Sequence, residues 1–418
     1  MGIFSGRRFF VYGNGVSGKA AYRALKKSGG KVKIYADARG GFCAPPEKDY
    51  YAAIVSPGIR PEHAVFEYCD SRGILVMSEA ELGFKLAKGE TVAVTGTNGK
   101  TTTTRLIADM LGGVACGNIG YPVSAAAVKT DKTLVCELSS FQLRFARGIR
   151  PNVAVITNIA EDHLDYHGSV EEYWKCKCSV ANEMRGGYLV LGEDIPVSAL
   201  ASLKTGAEIV RCSLDGKVDG AYIEENYFCF NGKRVCHTDY LRLQGRHNIK
   251  NALCAIAAAK CMGAENTSIL AALSSATAAP HRICDIGFAR GKKWIDDSKS
   301  TNVASCLAAV SATEGTLCLI TGGRNKGLDF DGLFSALDKR VTAVIAMGES
   351  AQEIRDCAAK YGVTARVLVV DCLADAVKSA ADTDADTVLL SPACASFDEF
   401  NSYAERGEKF KAEVGALK

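Results

Sequence analysis

The sequence predicts an α/β protein built from three domains in series. Twice, near residues 8–18 and 91–101, a short apolar run feeds a glycine-rich turn and then a stretch with helical spacing. That order is the strand–turn–helix start of a parallel sheet. From about residue 280, apolar runs alternate with helical patterns, which predicts another sheet of the same kind. A chain of 418 residues is also long enough for about three domains.

The first domain is expected over residues 1–90. Arg8 to Tyr12 reads as a strand running into Gly13-Asn-Gly-Val-Ser-Gly18, followed by a helix carrying Ala20, Ala21 and Leu25. A second strand, Val32 to Tyr35, ends at Asp37, nineteen residues after the last glycine of the turn. This spacing suits a pyrophosphate turn with an acidic ribose partner. Alone, G-x-G-x-x-G accommodates any nucleotide diphosphate. Further strands are predicted at Ala52 to Val55 and Ile74 to Met77.

The second domain, residues 91–279, opens on Thr91-Val-Ala-Val-Thr-Gly-Thr-Asn-Gly-Lys-Thr-Thr-Thr-Thr104. Val92, Ala93 and Val94 predict a buried parallel strand, and Leu106, Ile107 and Met110 predict a helix beginning at Thr102. Gly96 and Gly99 let the backbone approach anionic oxygens, and the new helix aims its free N–H groups and positive end at them. Lys100 supplies a mobile charge for phosphates, and the Thr101 hydroxyl is placed for Mg²⁺. The usual triphosphate loop runs G-x-x-x-x-G-K; this one runs G-x-x-G-K. Its strand and helix context makes it an ATP site. Thr133 to Cys136 predicts a strand ending on Glu137, and Val153 to Thr157 another ending on Asn158, polar groups at strand ends where open sheets bind ligands. From Tyr188 to Leu241, short alternating segments with Asp215-Gly, Asp219-Gly and Asn231-Gly turns predict a small antiparallel sheet. An alanine-rich helix follows from Asn248 to Cys261.

The third domain, residues 280–418, has predicted strands at Lys293 to Ile295, Leu317 to Ile320, Ala343 to Ala346, Val367 to Val370 and Thr387 to Leu390. A composition of 48% apolar and 23% charged residues is that of a soluble globular protein. A net charge of +3 provides no basic field for nucleic acid. The seventeen cysteines never form C-x-x-C; Cys176 and Cys178 come closest together. They read as small core residues in a reducing cytosol. No apolar stretch is long enough for a membrane span, and Gly6 stands where a myristoylation signal needs Ser or Thr. A cytoplasmic protein is expected.

Several motifs together resemble the Mur ligases, the ATP-dependent amide-forming enzymes that build the peptide of bacterial cell-wall precursors. Gly96-Thr-Asn-Gly-Lys-Thr101 marks the family. Gly117-Asn-Ile-Gly120, Glu137-Leu-Ser-Ser-Phe-Gln-Leu143, Trp294-Ile-Asp-Asp-Ser-Lys299 and Ser391-Pro-Ala-Cys-Ala-Ser-Phe397 are similar to its D-glutamate-adding branch. The resemblance implies a three-domain Mur ligase architecture: an N-terminal Rossmann-like domain, a central ATP-binding domain and a C-terminal Rossmann-like domain. It also implies a monomer acting on UDP-N-acetylmuramoyl-L-alanine, D-glutamate and ATP.

Residue by residue, the resemblance implies that Gly96, Thr97, Asn98, Gly99, Lys100, Thr101 and Thr102 bind ATP phosphates. Asn248 and Asn251 lie near adenine, Asp297 at the ribose and Arg282 at the γ-phosphate. Thr101 and Glu137 hold one Mg²⁺ and His163 a second. Glu137 at a buried strand end independently favours a cation beside it. For His163 alone, a strand-end histidine bonded to a carbonyl is the plainer reading. Lys177 matches a carbamylated lysine, with Lys175 a solvated neighbour. A bare ammonium ~4 Å from Mg²⁺ would be repelled by about 8 kcal/mol at an effective dielectric of 20, whereas a carbamate is an oxygen ligand. Gly15, Val16 and Ser17 are expected at the substrate pyrophosphate, Asp37 at the uridine, and Asn118, Ser139 and the Arg39 region along the sugar nucleotide. Ala38 replaces a family threonine and removes one uridine hydrogen bond. Lys299, Thr301, Lys326, Ser396, Phe397 and Tyr403 are expected to shape the D-glutamate pocket. Cys394 has no paired histidine and is not expected to be a nucleophile. The resemblance further implies an acyl-phosphate intermediate, and sites spread over three domains imply closure that shields it from water.

Two rivals remain. A sibling amide ligase of the tripeptide-forming or folylpolyglutamate type would share the ATP loop but lack Ser391 to Phe397. A nicotinamide oxidoreductase, or a nucleotide-binding protein without catalysis, would leave the ATP loop or the Glu137, His163 and Lys177 set unexplained.

Overall fold

The computed structural model describes residues 2–38, 41–46, 49–201, 203–277, 280–327 and 329–417. They form two compact units. Unit 1 comprises Met1–Ile159, Ser169–Arg242 and Asn248–Ala276; unit 2 comprises Ala160–Gly168, Leu243–His247 and Thr277–Lys418.

Unit 1 carries two sheets. The first is built from β1 (Arg8–Tyr12), β2 (Lys31–Tyr35), β3 (Ala52–Val55) and β4 (Leu75–Ser78), in the order β2-β1-β3-β4 and parallel throughout. The chain leaves β1 toward β2 on one side and returns to β3 on the other. The crevice at the carboxyl end of β1 is therefore a topological switch point, and Gly13 to Gly18 lies there.

The second sheet has nine strands: β5 (Thr91–Thr95), β6 (Val114–Gly117), β7 (Leu134–Glu137), β8 (Val153–Ile156), β9 (Tyr188–Leu191), β10 (Glu208–Ser213), β11 (Gly220–Glu224), β12 (Tyr227–Phe230) and β13 (Lys233–His237). Their order is β13-β12-β11-β10-β9-β8-β5-β7-β6. β5 lies between β7 and β8, again at a switch point, so its carboxyl end opens between two strand ends that carry polar residues. Val92, Val94, Val153 and Val155 are fully buried beneath the alanine-rich helix Arg246–Cys261. Burial of each such side chain stabilises by about 1.5–3 kcal/mol.

The stretch expected to form its own small antiparallel sheet instead continues this one. β9 and β10 run parallel to β8 and β11, and only β11–β12–β13 is antiparallel. Asn231-Gly232 turns one hairpin as expected, with both residues at positive φ. The other hairpin turns at Glu225-Asn226, also at positive φ, without a glycine to announce it.

Unit 2 holds the third sheet: β14 (Cys284–Ala289), β15 (Lys292–Asp296), β16 (Leu317–Gly322), β17 (Val341–Met347), β18 (Arg366–Val370) and β19 (Thr387–Leu390). The order is β14-β15-β19-β16-β17-β18, parallel except for β14, a strand the sequence reading did not anticipate. A register shift between Asp285 and Gly287 breaks the alternation that would have revealed it. No helix among the described residues is long and apolar enough to cross a membrane.

Candidate active site

The loop after β5 is shaped by what surrounds it. Gly96 has φ +142°, and a Cβ there would meet Thr157 Oγ1 at 2.0 Å. Gly99, at φ +79°, caps the helix Lys100–Leu111, and a Cβ there would meet Asn251 Oδ1 at 2.0 Å. Both places favour glycine, and a side chain at either would force its neighbour to turn aside. The end of β8 ties the loop down. The Thr97 N–H donates to the Asn158 carbonyl (3.0 Å), the Asn98 N–H to Asn158 Oδ1 (2.9 Å), and Thr157 Oγ1 to the Asn98 carbonyl (2.7 Å). Sequence reasoning gave Thr157 and Asn158 no such role. Asn251 Nδ2 donates to Asn248 Oδ1 (3.2 Å), so this predicted pair does stand together beside the loop.

Lys100 Nζ folds back onto the Gly96 (2.9 Å) and Thr97 (2.8 Å) carbonyls. Lys177, from the helix Val170–Cys178, is 2% exposed and donates to the same Gly96 oxygen at 2.7 Å, with its ammonium over the Tyr173 ring. Two ammonium groups on one carbonyl lie within roughly 6 Å of each other. Their repulsion is about 3 kcal/mol at an effective dielectric of 20. Such a pair calls for a negative charge beside it.

Glu137, at the end of β7, is 2% exposed. It accepts from Thr101 Oγ1 (2.7 Å) on Oε2 and from Asn118 Nδ2 (2.8 Å) on Oε1. A buried carboxylate against a hydroxyl beside a phosphate loop is a hard-oxygen donor pair of the kind Mg²⁺ takes. These residues fit that ion. Among the described residues no cluster of three or more His, Cys, Asp or Glu side chains is arranged to hold a metal.

Around Gly13 to Gly18, Gly15 caps the helix Val16–Lys27 and Val16 is 76% exposed at its first turn. Ser17 is half-buried in the same turn. Asp37 Oδ1 accepts from Tyr12 Oη (2.6 Å) and pairs with His63 Nε2 (3.0 Å). Burial, then the Asp37 hydrogen bond, pushes the Tyr12 phenol up to about 12. Tyr12 and, less strongly, His63 hold the Asp37 carboxyl below its ordinary range. Arg39 lies outside the described residues. Ser139 points at its own helix, Ser140–Arg144, in a capping box with Gln142.

In unit 2, Asp162 gathers residues from three loops. Its Oδ1 accepts from Lys326 Nζ (2.6 Å) and the His163 N–H (2.9 Å), and its Oδ2 from Asn302 Nδ2 (3.0 Å). Burial pushes this carboxyl up, but Lys326, His163 and the Asn302 amide outweigh it and hold it at about 2. His163 itself has φ +55°, a left-handed conformation.

Arg282 Nε is buried and has no acceptor among the described residues. Burial, reinforced by the Arg282 charge, holds His247 down at about 4. Burial raises Asp297 to about 7 against the pull of Arg282; its oxygens accept from Ser391 Oγ (2.8 Å) and the Ile283 N–H (3.3 Å).

The loops after β16 and β19 are joined by reciprocal Arg324–Ala395 backbone bonds of 2.9 and 3.0 Å. Arg406, fully buried, donates to the Ser298 carbonyl (2.9 Å), Ser298 Oγ (3.0 Å) and the Cys394 carbonyl (3.1 Å). Burial lowers it to about 10. Ser396 is buried, Phe397 is 61% exposed, and Thr301 is half-buried. Lys299 Nζ lies 5.5 Å from the centroid of the Tyr403 ring. Cys394 is buried against Ser350 Oγ (3.3 Å), and burial raises its thiol to about 11, which suits a packing residue rather than a nucleophile.

Comparison with known proteins supports a family assignment. Residues 94–259 match the Mur ligase middle domain, and residues 281–394 the Mur ligase glutamate ligase domain. UDP-N-acetylmuramoylalanine–D-glutamate ligase of Latilactobacillus sakei is 38% identical over 87% of this chain and 83% of its own. Those of Streptococcus pneumoniae (36%; 99% and 98%) and Caldanaerobacter subterraneus (34%; 99% and 99%) align almost end to end. In fold, the chain is similar to MurF from Acinetobacter baumannii, with TM-score 0.64 at 17% identity over 98% of this chain and 90% of that one. It is also similar to UDP-N-acetylmuramate-alanine ligase from Thermotoga maritima, with TM-score 0.63 at 20% identity over 99% and 100%. The chain belongs to the Mur ligase family.

Proposed function

We propose that the protein is the ATP-dependent ligase that joins D-glutamate to UDP-N-acetylmuramoyl-L-alanine. It forms an amide bond in the synthesis of peptidoglycan precursors. The observation that carries this reading is the Thr101–Glu137–Asn118 set at the foot of the Gly96–Thr101 loop, in a chain whose kinship runs over nearly its whole length.

The substrate carboxylate attacks the γ-phosphorus of ATP, the bond to the bridging oxygen breaks, and ADP leaves. Lys100 exchanges its loop carbonyls for phosphate oxygens, and the N-terminus of the helix Lys100–Leu111 faces the same charge. Arg282, with a buried donor to offer, is assigned to the γ-phosphate. Mg²⁺, two ions in our reading, neutralises phosphate and carboxylate charge when bound. Thr101 and Glu137 would hold one ion, and His163 the other. The amine of D-glutamate then attacks the acyl carbon, and inorganic phosphate departs as the amide forms.

Lys177 is assigned as a carbamate: its neutral amine adds to CO₂, a C–N bond forms and a proton is released. Its closeness to Lys100 supports this, because the carbamate turns repulsion into attraction. Asn248 and Asn251 are assigned to adenine and Asp297 to the ribose. Gly15, Val16 and Ser17 are assigned to the substrate pyrophosphate, Asp37 to uridine, and Asn118, Ser139 and Arg39 to the sugar nucleotide. Lys299, Thr301, Lys326, Ser396, Phe397 and Tyr403 form the D-glutamate pocket. Residues 1–90, 91–279 and 280–418 divide these roles among UDP-substrate, ATP and amino acid, in a cytoplasmic monomer. Phosphate release is measured with UDP-N-acetylmuramoyl-L-alanine and a panel of amino acids. D-Glutamate should support turnover and L-glutamate should not; equal turnover, or preference for a diamino acid, overturns the assignment.

A further inference from the structure

We propose that Asp162 is a positioning residue for amino-acid binding, fixing the Lys326 ammonium at one place in unit 2. Three features of the site support it. The carboxylate is buried, as is Lys326, with side-chain exposures of 6% and 10%. Besides the N–H of its neighbour His163, it receives donors from two distant pieces of chain: the loop after β16 and Asn302. Asn302 is itself anchored, because its Oδ1 accepts from the Ser305 N–H (2.9 Å) as the cap of the helix Val303–Ala312.

A lysine side chain has four rotatable carbons and no geometry of its own. Here the geometry is borrowed. The backbone near Lys326 is registered to the Ser391–Phe397 loop through the paired Arg324–Ala395 bonds, and the ammonium is registered to Asp162. Both coordinates of the cation are therefore set before any carboxylate arrives. Without Asp162, the buried ammonium loses its counter-charge and swings away, and the pocket loses its ready-made cation.

This inference rests on the assignment of Lys326 to D-glutamate, so the two are tested side by side. Steady-state kinetics of Asp162→Asn should show KM for D-glutamate raised about 10-fold or more, with KM for ATP within about twofold. Asn302→Ala, which removes one tie to the carboxylate, should raise KM for D-glutamate by about threefold. Equal rises for ATP and D-glutamate, or no rise for D-glutamate in Asp162→Asn, overturn the inference. Should Asp162→Asn lose its native circular dichroism, Asn302→Ala decides: an unchanged KM for D-glutamate overturns the inference. Lys326→Ala is measured alongside. If it leaves KM for D-glutamate unchanged, the pocket assignment has failed. If it raises that KM while the other two variants do not, the positioning role alone has failed.

Discussion

Gly99→Ala tests how the phosphate loop is built. At φ +79° an alanine pays about 1–2 kcal/mol for the left-handed conformation. Its Cβ would also stand 2.0 Å from Asn251 Oδ1. Asn251 is buried and its amide donates to Asn248, so turning aside costs that hydrogen bond, about 1 kcal/mol. The expected loss is roughly 2–3 kcal/mol. Two units need not unfold in one step. The two tryptophans fall one in each unit, so a Trp294→Phe background leaves Trp174 to report unit 1 during urea unfolding. Adding Asn251→Ala removes the collision but keeps the backbone strain, so the double-mutant coupling should reach about 1 kcal/mol. A Gly99→Ala protein within about 0.5 kcal/mol of its parent, or a coupling near zero, would refute this account of the loop.

Lys177→Ala should be nearly inactive, and a small carboxylic acid should partly restore turnover where a neutral amine does not; full activity in the variant sinks the carbamate assignment. Mass spectrometry of the native protein should show an acid-labile carbamate at Lys177. Cys394→Ser should keep turnover within about twofold, because a thiol raised to about 11 by burial is no nucleophile at neutral pH. Iodoacetamide that modified Cys394 faster than the exposed Cys43 would reverse that view. Asp297 has a folded pKa of about 7 against an ordinary 3.8, so folding binds a proton that the unfolded chain has released. Its contribution is fully present below about pH 4 and fades as pH rises to about 7, by at most the order of 4 kcal/mol. Asp297→Asn, which mimics the protonated acid, should flatten that fall in unit 2; an unchanged slope would contradict the burial argument.

The shape of the Gly96–Thr101 loop and the place of Glu137 beside it were legible because they are local in sequence. Gly96 to Thr101 is one turn, and Glu137 ends one apolar run. Asp162 and Arg406 were not legible as site residues. Asp162 meets Lys326, 164 positions away, and Arg406 meets Ser298, 108 positions away. Pattern at short range carries no trace of such meetings. Arg406 lies one turn before the buried Phe410 on the inner face of the helix Tyr403–Gly415, where its charge reads as solvated, yet it is fully buried. Ser139 shows the converse. Its spacing to Gln142 already contained the capping box that now occupies its hydroxyl, and a functional role for Ser139 has to compete with that bond.

Three open sheets present six outer strands, each with unpaired backbone groups able to template a neighbouring chain. The protein guards them by different means. Lys31 and Lys33 stud β2, Lys233 and Arg234 stud β13, and Arg366 begins β18, all exposed. The register shift bends β14 out of true. β6 is only four residues long and is partly covered by a bridge to Tyr121, while the end of β4 donates from Ser78 to the Phe145 carbonyl. Charge, irregularity and cover together discourage edge-to-edge aggregation. Parallel sheets, whose pairings are distant in sequence, expose such edges while they form, so the protection matters before any chemistry can begin.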